Sequence, residues 1–139
     1  ELSIIAYYID PCPPDMIKCY MKLFNLNTEF YNNLLSNYKF DRLACFDLLP
    51  LSLTSLVSVV SQTSYIILRQ QAKGYGTNKL IEGMYHKGDR VVLFVPILTQ
   101  AVDDVILALK DCQVNVVACL SFSMSDYTLS ADVEVRTIV

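Results

Sequence analysis

The sequence predicts an α/β domain with a mainly parallel central sheet and helices on both faces. Three observations lead there. The longest apolar runs are short and β-branched, Val91-Val92-Leu93-Phe94-Val95 being the clearest, as in strands buried on both faces. Such runs alternate with segments of helical periodicity, the order expected of a parallel sheet joined by crossover helices. A chain of 139 residues, 53% hydrophobic and 18% charged, is long and apolar enough for one domain with its own core.

The elements follow in order. Leu2 to Asp10 reads as an extended segment, ended by Pro11, Pro13 and Pro14. Ile17, Tyr20, Met21 and Phe24 stand at i, i+3, i+4 and i+7, which predicts a helix. A second short helix follows Asn27 or Thr28 and buries Phe30, Leu34 and Leu35. Arg42 to Phe46 is a strand, Leu51 to Val60 an apolar helix carrying Ser and Thr, and Tyr65 to Leu68 a strand. Residues 70–88 hold all four glycines and form a polar excursion, a projecting β-hairpin or flexible loop. After the strand Val91 to Val95, a helix begins near Thr99 with Val102, Val105, Ile106 and Leu109 on one face. Asp103 and Asp104 fall in its first turn, where the helix dipole favours negative charge, and capping is their expected role. Val114 to Phe122 and Val133 to Val139 complete the strands of a single domain spanning 1–139.

Composition narrows the function classes. No run approaches the ~18 uninterrupted apolar residues of a membrane helix, so no membrane contact is expected. A net charge of −3 gives no general attraction to nucleic acid or anionic lipid. Five cysteines without a CxxC pair, and a single histidine, His86, argue for free thiols packed as small hydrophobes and against a metal site. Free thiols imply a reducing compartment, the cytoplasm or alternatively the nucleus. The chain opens at Glu1 with no charged n-region, so no targeting signal is read.

A phosphate-cradling turn between strand and helix normally uses glycine, which lets backbone N–H groups approach the anion. Here neither Asp41 to Pro50 nor Pro96 to Asp103 contains one. That absence argues against an ordinary phosphate-binding enzyme.

The segment from Arg69 to Gly83 (Arg69-Gln70-Gln71-Ala72-Lys73-Gly74-Tyr75-Gly76-Thr77, then Lys79 and Glu82-Gly83) resembles the flexible-loop region of orotate phosphoribosyltransferases. That family's pattern is Arg-Lys-Glu-x-Lys-x-(His/Tyr)-Gly-Thr, a basic stretch and Glu-Gly. Tyr8-Ile9-Asp10 is similar to a Tyr-Ile-Asp segment upstream, and Lys87-Gly88-Asp89 leads into a hydrophobic strand as in the family. The resemblance implies a phosphoribosyltransferase-like fold, with this chain shorter than the usual domain at both ends. It also implies transfer of ribose 5-phosphate from phosphoribosyl pyrophosphate, with Mg²⁺, to orotate. The residues carried over as ligand-binding are Arg69, Lys73, Tyr75, Thr99, Tyr8 and Asp10.

The departures from the family are many. Val95-Pro96 replace an acidic pair that holds ribose hydroxyls, and Gln100, Ala101 and Val102 replace a small-residue phosphate loop, leaving Thr99 unchanged. Asp103 stands where a hydroxyl receives phosphate, so its carboxylate is expected to supply charge at the helix start and repel the ligand. Gln70 and Gln71 replace charged loop residues, and the Asp-Arg pair that helps hold orotate falls near Phe122-Ser123. The expectation is therefore a catalytically inactive domain, its ligand residues vestigial, with no catalytic residue, no metal ligand and no cofactor. Such a module works through protein contacts, as a homodimer or with another partner, in a cell or in a virus that captured the gene. Two alternatives stand beside it. One is an active or ligand-binding phosphoribosyltransferase with a rebuilt site, for which alone Mg²⁺ is needed. The other is nucleic-acid binding through residues 69–90, where five Lys/Arg face two Asp/Glu, against the overall acidity.

Overall fold

The computed structural model describes residues 33–47, 50–69 and 81–138. Their elements are β1 (Arg42–Phe46), α1 (Leu51–Ser61), β2 (Tyr65–Leu68), β3 (Ile81–Glu82), β4 (Arg90–Val95), α2 (Gln100–Asp111), β5 (Asn115–Ser121) and β6 (Glu134–Thr137). They build one six-stranded sheet in the order β3-β2-β1-β4-β5-β6. The pairs β1–β2, β1–β4, β4–β5 and β5–β6 are parallel, and only β2–β3 is antiparallel.

The apolar runs become strands because both sheet faces are covered. Successive residues of a strand point to opposite faces, and the core divides accordingly. Ala44, Phe46, Val91, Leu93 and Val95 join Val102, Val105, Ile106 and Leu109 of α2 on one face. Leu43, Cys45, Val92 and Phe94 join Leu53 and Val57 of α1 on the other, where Phe94 stacks on Phe122 with centroids 6.1 Å apart. Residues 91–95 are essentially inaccessible to solvent. The expected mainly parallel sheet with a helix on each face is thus the observed one.

At the strand N-termini, two Asp-Arg dipeptides exchange partners across the β1–β4 ladder. Arg42 pairs with Asp89, while Arg90 places Nε 3.1 Å from Asp41 Oδ2 and donates its backbone N–H to the same oxygen at 2.8 Å. This fixes the register of the two central strands.

Differences from the sequence reading are local. Ile81–Glu82 lies within the expected polar excursion, yet pairs with β2 through Ile67↔Glu82 and Leu68↔Ile81. A two-residue strand carries too little alternation to be read from sequence. The antiparallel β2–β3 pair is the base of the expected hairpin, whose tip, 70–80, lies outside the described residues. The extended segment 2–10 and the helix at 17–24 lie outside them too. Of the helix after Thr28, residues 33–35 are helical, with Leu35 buried.

Candidate functional site

Between β1 and β4 the direction of the chain across the sheet reverses. β1 leads through α1 to β2 on one side, and β4 leads through α2 to β5 on the other. Such a switch point leaves a crevice beyond the carboxyl ends of the strands, the usual ligand position in open α/β sheets. Its walls are the turn after Phe46, the loop Pro96–Thr99 with the start of α2, and the chain leaving β5.

The turn after β1 adopts the conformation for which glycine is normally chosen, without a glycine. Asp47 has φ 69°, and its N–H donates to the Leu68 carbonyl at 2.9 Å. Asp tolerates this left-handed region better than most residues because its short side chain bonds locally. The missing glycine was therefore a weak argument against a tight ligand-binding turn.

Thr99 is the N-cap of α2, exposed, with extended backbone (φ −149°, ψ 172°) and no side-chain capping bond. Its carbonyl accepts the Val102 N–H at 3.0 Å. The hydroxyl thus stands free beside the positive end of a twelve-residue helix.

Asp103 behaves differently from expectation. Its carboxylate neither caps its own helix nor faces the start of α2. It accepts the Ser130 N–H on both oxygens at 3.0 Å, the Ala131 N–H at 3.1 Å and the Tyr127 hydroxyl at 2.7 Å. The fourth residue of a helix projects sideways, a full turn from the first free amides, and here it meets the chain between β5 and β6. The Tyr127 hydroxyl bond and the two backbone N–H groups hold the Asp103 carboxyl below its ordinary value against the opposing effect of burial, and the same bond raises the Tyr127 phenol. Asp104 accepts only from Gln100 Nε2, at 3.2 Å. The expectation that Asp103 caps α2 is corrected by these contacts.

Of the other carried-over residues, Arg69 directly follows β2 and pairs with Glu82 across the hairpin base at 3.2 Å. Tyr8, Asp10, Lys73 and Tyr75 lie outside the described residues. Val95 is fully buried at the crevice floor, and Pro96 follows it. Cys45 and Cys119, buried beneath, are pushed up to about 12 by loss of hydration, so neither is a nucleophile near neutral pH.

No family model matches the chain. The orotate phosphoribosyltransferase of Methanocella arvoryzae is 40% identical over 60 residues, covering 43% of this chain and 34% of that protein. The enzyme of the same name from Methanococcus maripaludis is 31% identical over 109 residues, 71% of this chain and 56% of that protein. The chain is a diverged relative of the orotate phosphoribosyltransferases. It matches between about a third and just over half of the length of these two relatives. In fold, the adenine phosphoribosyltransferase of Saccharomyces cerevisiae superposes with a TM-score of 0.65 over 91% of this chain and 80% of that one, at 12% identity. No helix among the described residues is long and apolar enough to cross a membrane.

These relatives correct the expectation of a non-enzyme, since the proteins matched bear the names of enzymes. That expectation counted missing side chains. Phosphate binding rests as much on backbone N–H groups and helix ends, which a substitution list does not reveal.

Proposed function

We propose that the chain is a phosphoribosyl-transfer domain of the orotate class with a rebuilt ligand shell, taking phosphoribosyl pyrophosphate in the crevice between β1 and β4. The observation that carries this reading is the 40% identity over 60 residues to an orotate phosphoribosyltransferase. The switch point is consistent with it, because the Thr99 N-cap at the start of α2 follows β4 and the left-handed Asp47 turn follows β1. In this reading Thr99 and the first amides of α2 hold the 5-phosphate. Arg69, which follows β2, approaches the pyrophosphate, and Lys73, Tyr75, Tyr8 and Asp10 complete the ligand set.

The described residues do not fit a protein-held Mg²⁺. Val95 and Pro96 offer no side-chain oxygen where the family has an acidic pair, and no group of three His, Cys, Asp or Glu gathers among the described residues. Mg²⁺ would enter with the pyrophosphate, as part of the substrate.

Calorimetric titration of the purified chain with phosphoribosyl pyrophosphate and Mg²⁺, followed by an assay for orotate conversion, tests the proposal. Saturable heat with turnover is the expected result, and absence of both removes it. The nucleic-acid alternative is disfavoured by the net charge of −3, which gives the chain no general attraction to a polyanion. We also propose two-fold self-association, supported by the uncharged helix α1, which leaves Val59 76% exposed.

A further inference from the structure

We propose that residues 123–133 form a strap, latched by Asp103 across the N-terminal half of α2, which opens without unfolding the sheet and so gates the crevice. The gating half rests on the ligand-binding reading given under Proposed function. The latch stands on its own geometry.

The segment leaves β5 at the carboxyl edge of the sheet and reaches β6 through bends at 122–123, 126 and 130–131. Its odd-numbered residues, Ser123 to Val133, are half-buried, and its even-numbered ones are exposed. Tyr127, Leu129, Ala131 and Val133 lie on the α2-side core, but each is only partly covered. Little apolar area therefore holds the strap down, which places it at the low end of local opening free energies. Polar contacts do most of the fastening, and they converge. Ser125 Oγ donates to the Leu98 carbonyl at 3.0 Å. The Tyr127 hydroxyl lies 2.9 Å from Gln100 Oε1 and 2.7 Å from Asp103 Oδ2, and its single proton goes to the charged acceptor. Ser130 and Ala131 add their N–H groups to the same carboxylate. One ionised side chain thus gathers three donors spread over five residues of strap.

Water replaces Asp103 as soon as the strap lifts, so opening costs only the net strength of these charge-assisted bonds and leaves no donor buried and unpaired. Asp103 is nearly buried (9% exposed) when the strap is down and regains hydration when it is up. The sheet keeps its own ladder in both states, since β4 and β5 pair independently of the strap. The strap also reaches the crevice wall: Ser123 N–H bonds the Pro96 carbonyl at 3.1 Å, and Ser125 bonds Leu98, the two residues framing the loop that ends at Thr99. Lifting the strap frees that loop.

Amide hydrogen exchange on the wild-type chain, Asp103→Asn and Tyr127→Phe tests the latch. Asp103→Asn is expected to speed exchange across 125–131 by at least ~10-fold, the effect of weakening two or more charge-assisted bonds, with a smaller increase in Tyr127→Phe and unchanged β4 amides. Unchanged strap exchange overturns the latch. So does a rise shared equally by strap and β4, which would make Asp103 part of the global fold. Stopped-flow binding of phosphoribosyl pyrophosphate with Mg²⁺ tests the gate, with faster association expected in Asp103→Asn. Equal association rates overturn the gate. If the wild-type chain binds nothing, the functional reading and the gate fall together, while exchange still decides the strap.

Discussion

Gln113 holds a left-handed backbone, φ 60°, where α2 ends. Its N–H donates to the Lys110 carbonyl at 2.9 Å and the next N–H, of Val114, reaches back to Leu109 at 2.9 Å, the double closure that usually employs glycine. Gln113→Gly is expected to raise stability by about 0.5–1 kcal/mol, because the strain of a side chain in this region exceeds the entropy glycine adds to the unfolded chain. A denaturant midpoint that falls would contradict this. Asp41 makes a second residue-level prediction. Hydrogen bonds from the Arg90 guanidinium and backbone N–H lower its pKa to about 2. A carboxyl lowered in the folded state stabilises the fold above its unfolded value of about 4 and loses that contribution as pH falls toward the folded one. Carbon-detected titration should find the Asp41 midpoint near 2, returning to the ordinary carboxylate range in Arg90→Ala. An Asp41 midpoint already in that range in the wild type would refute the pairing. At this scale sequence was a partial guide. Thr99 was marked by the family resemblance and by the start of a periodic helix, whereas the partners of Asp103 are 24 to 28 residues away and carry no pattern in common with it.

Among the elements, β1 and β4 depend on the crossed Asp-Arg pairs, and the two pairs are not equal. Arg42 and Asp89 are largely covered, at 16% and 12% side-chain exposure, while Arg90 and Asp41 remain at 45% and 39%. Arg42→Ala takes the guanidinium from Asp89 and leaves it the His86 N–H at 2.7 Å, and about 2 kcal/mol of destabilisation is expected. Arg90→Ala should cost less than Arg42→Ala, and less still in high salt, because its pair is screened by solvent. Urea melts of the two variants check the order, and equal losses would show that burial does not separate them. The strands and helices themselves were legible because their signals are local: short apolar runs for β1, β2, β4 and β5, β-branched in the last three, and a 3.6-residue period for α2. The strap was not, although Ser123 to Val133 alternates inward and outward like a strand. Its serines and aspartates hide the alternation, and it pairs with a helix instead of a neighbouring strand.

On the scale of the whole molecule, the two faces of the sheet are closed by very different helices. α2 turns Asp104, Lys110 and Asp111 outward, as a solvent-facing helix does. α1, from Leu51 to Ser61, has no charged residue. Leu53, Thr54 and Val57 face the sheet, and Val59 stands out at 76% exposure beside the half-buried Leu56 and Val60. A surface helix without charge is an unusual neighbour for water, and its serines alone make it tolerable there. Pairing with an identical copy is the commonest closed way to cover such a face. Light scattering across micromolar concentrations is therefore expected to give twice the chain mass, and Val59→Lys to return it to one chain by placing two like charges near the two-fold axis. Because Val59 is exposed, the substitution should leave the thermal midpoint of the monomer within a degree or two, as surface changes of under about 0.5 kcal/mol do. A wild-type chain that scatters as a monomer throughout would remove the dimer. A dimer that survives Val59→Lys would move it to another face, and the exposed edge β6, where Glu134 and Arg136 stand as charged guards, is the less suitable of those left.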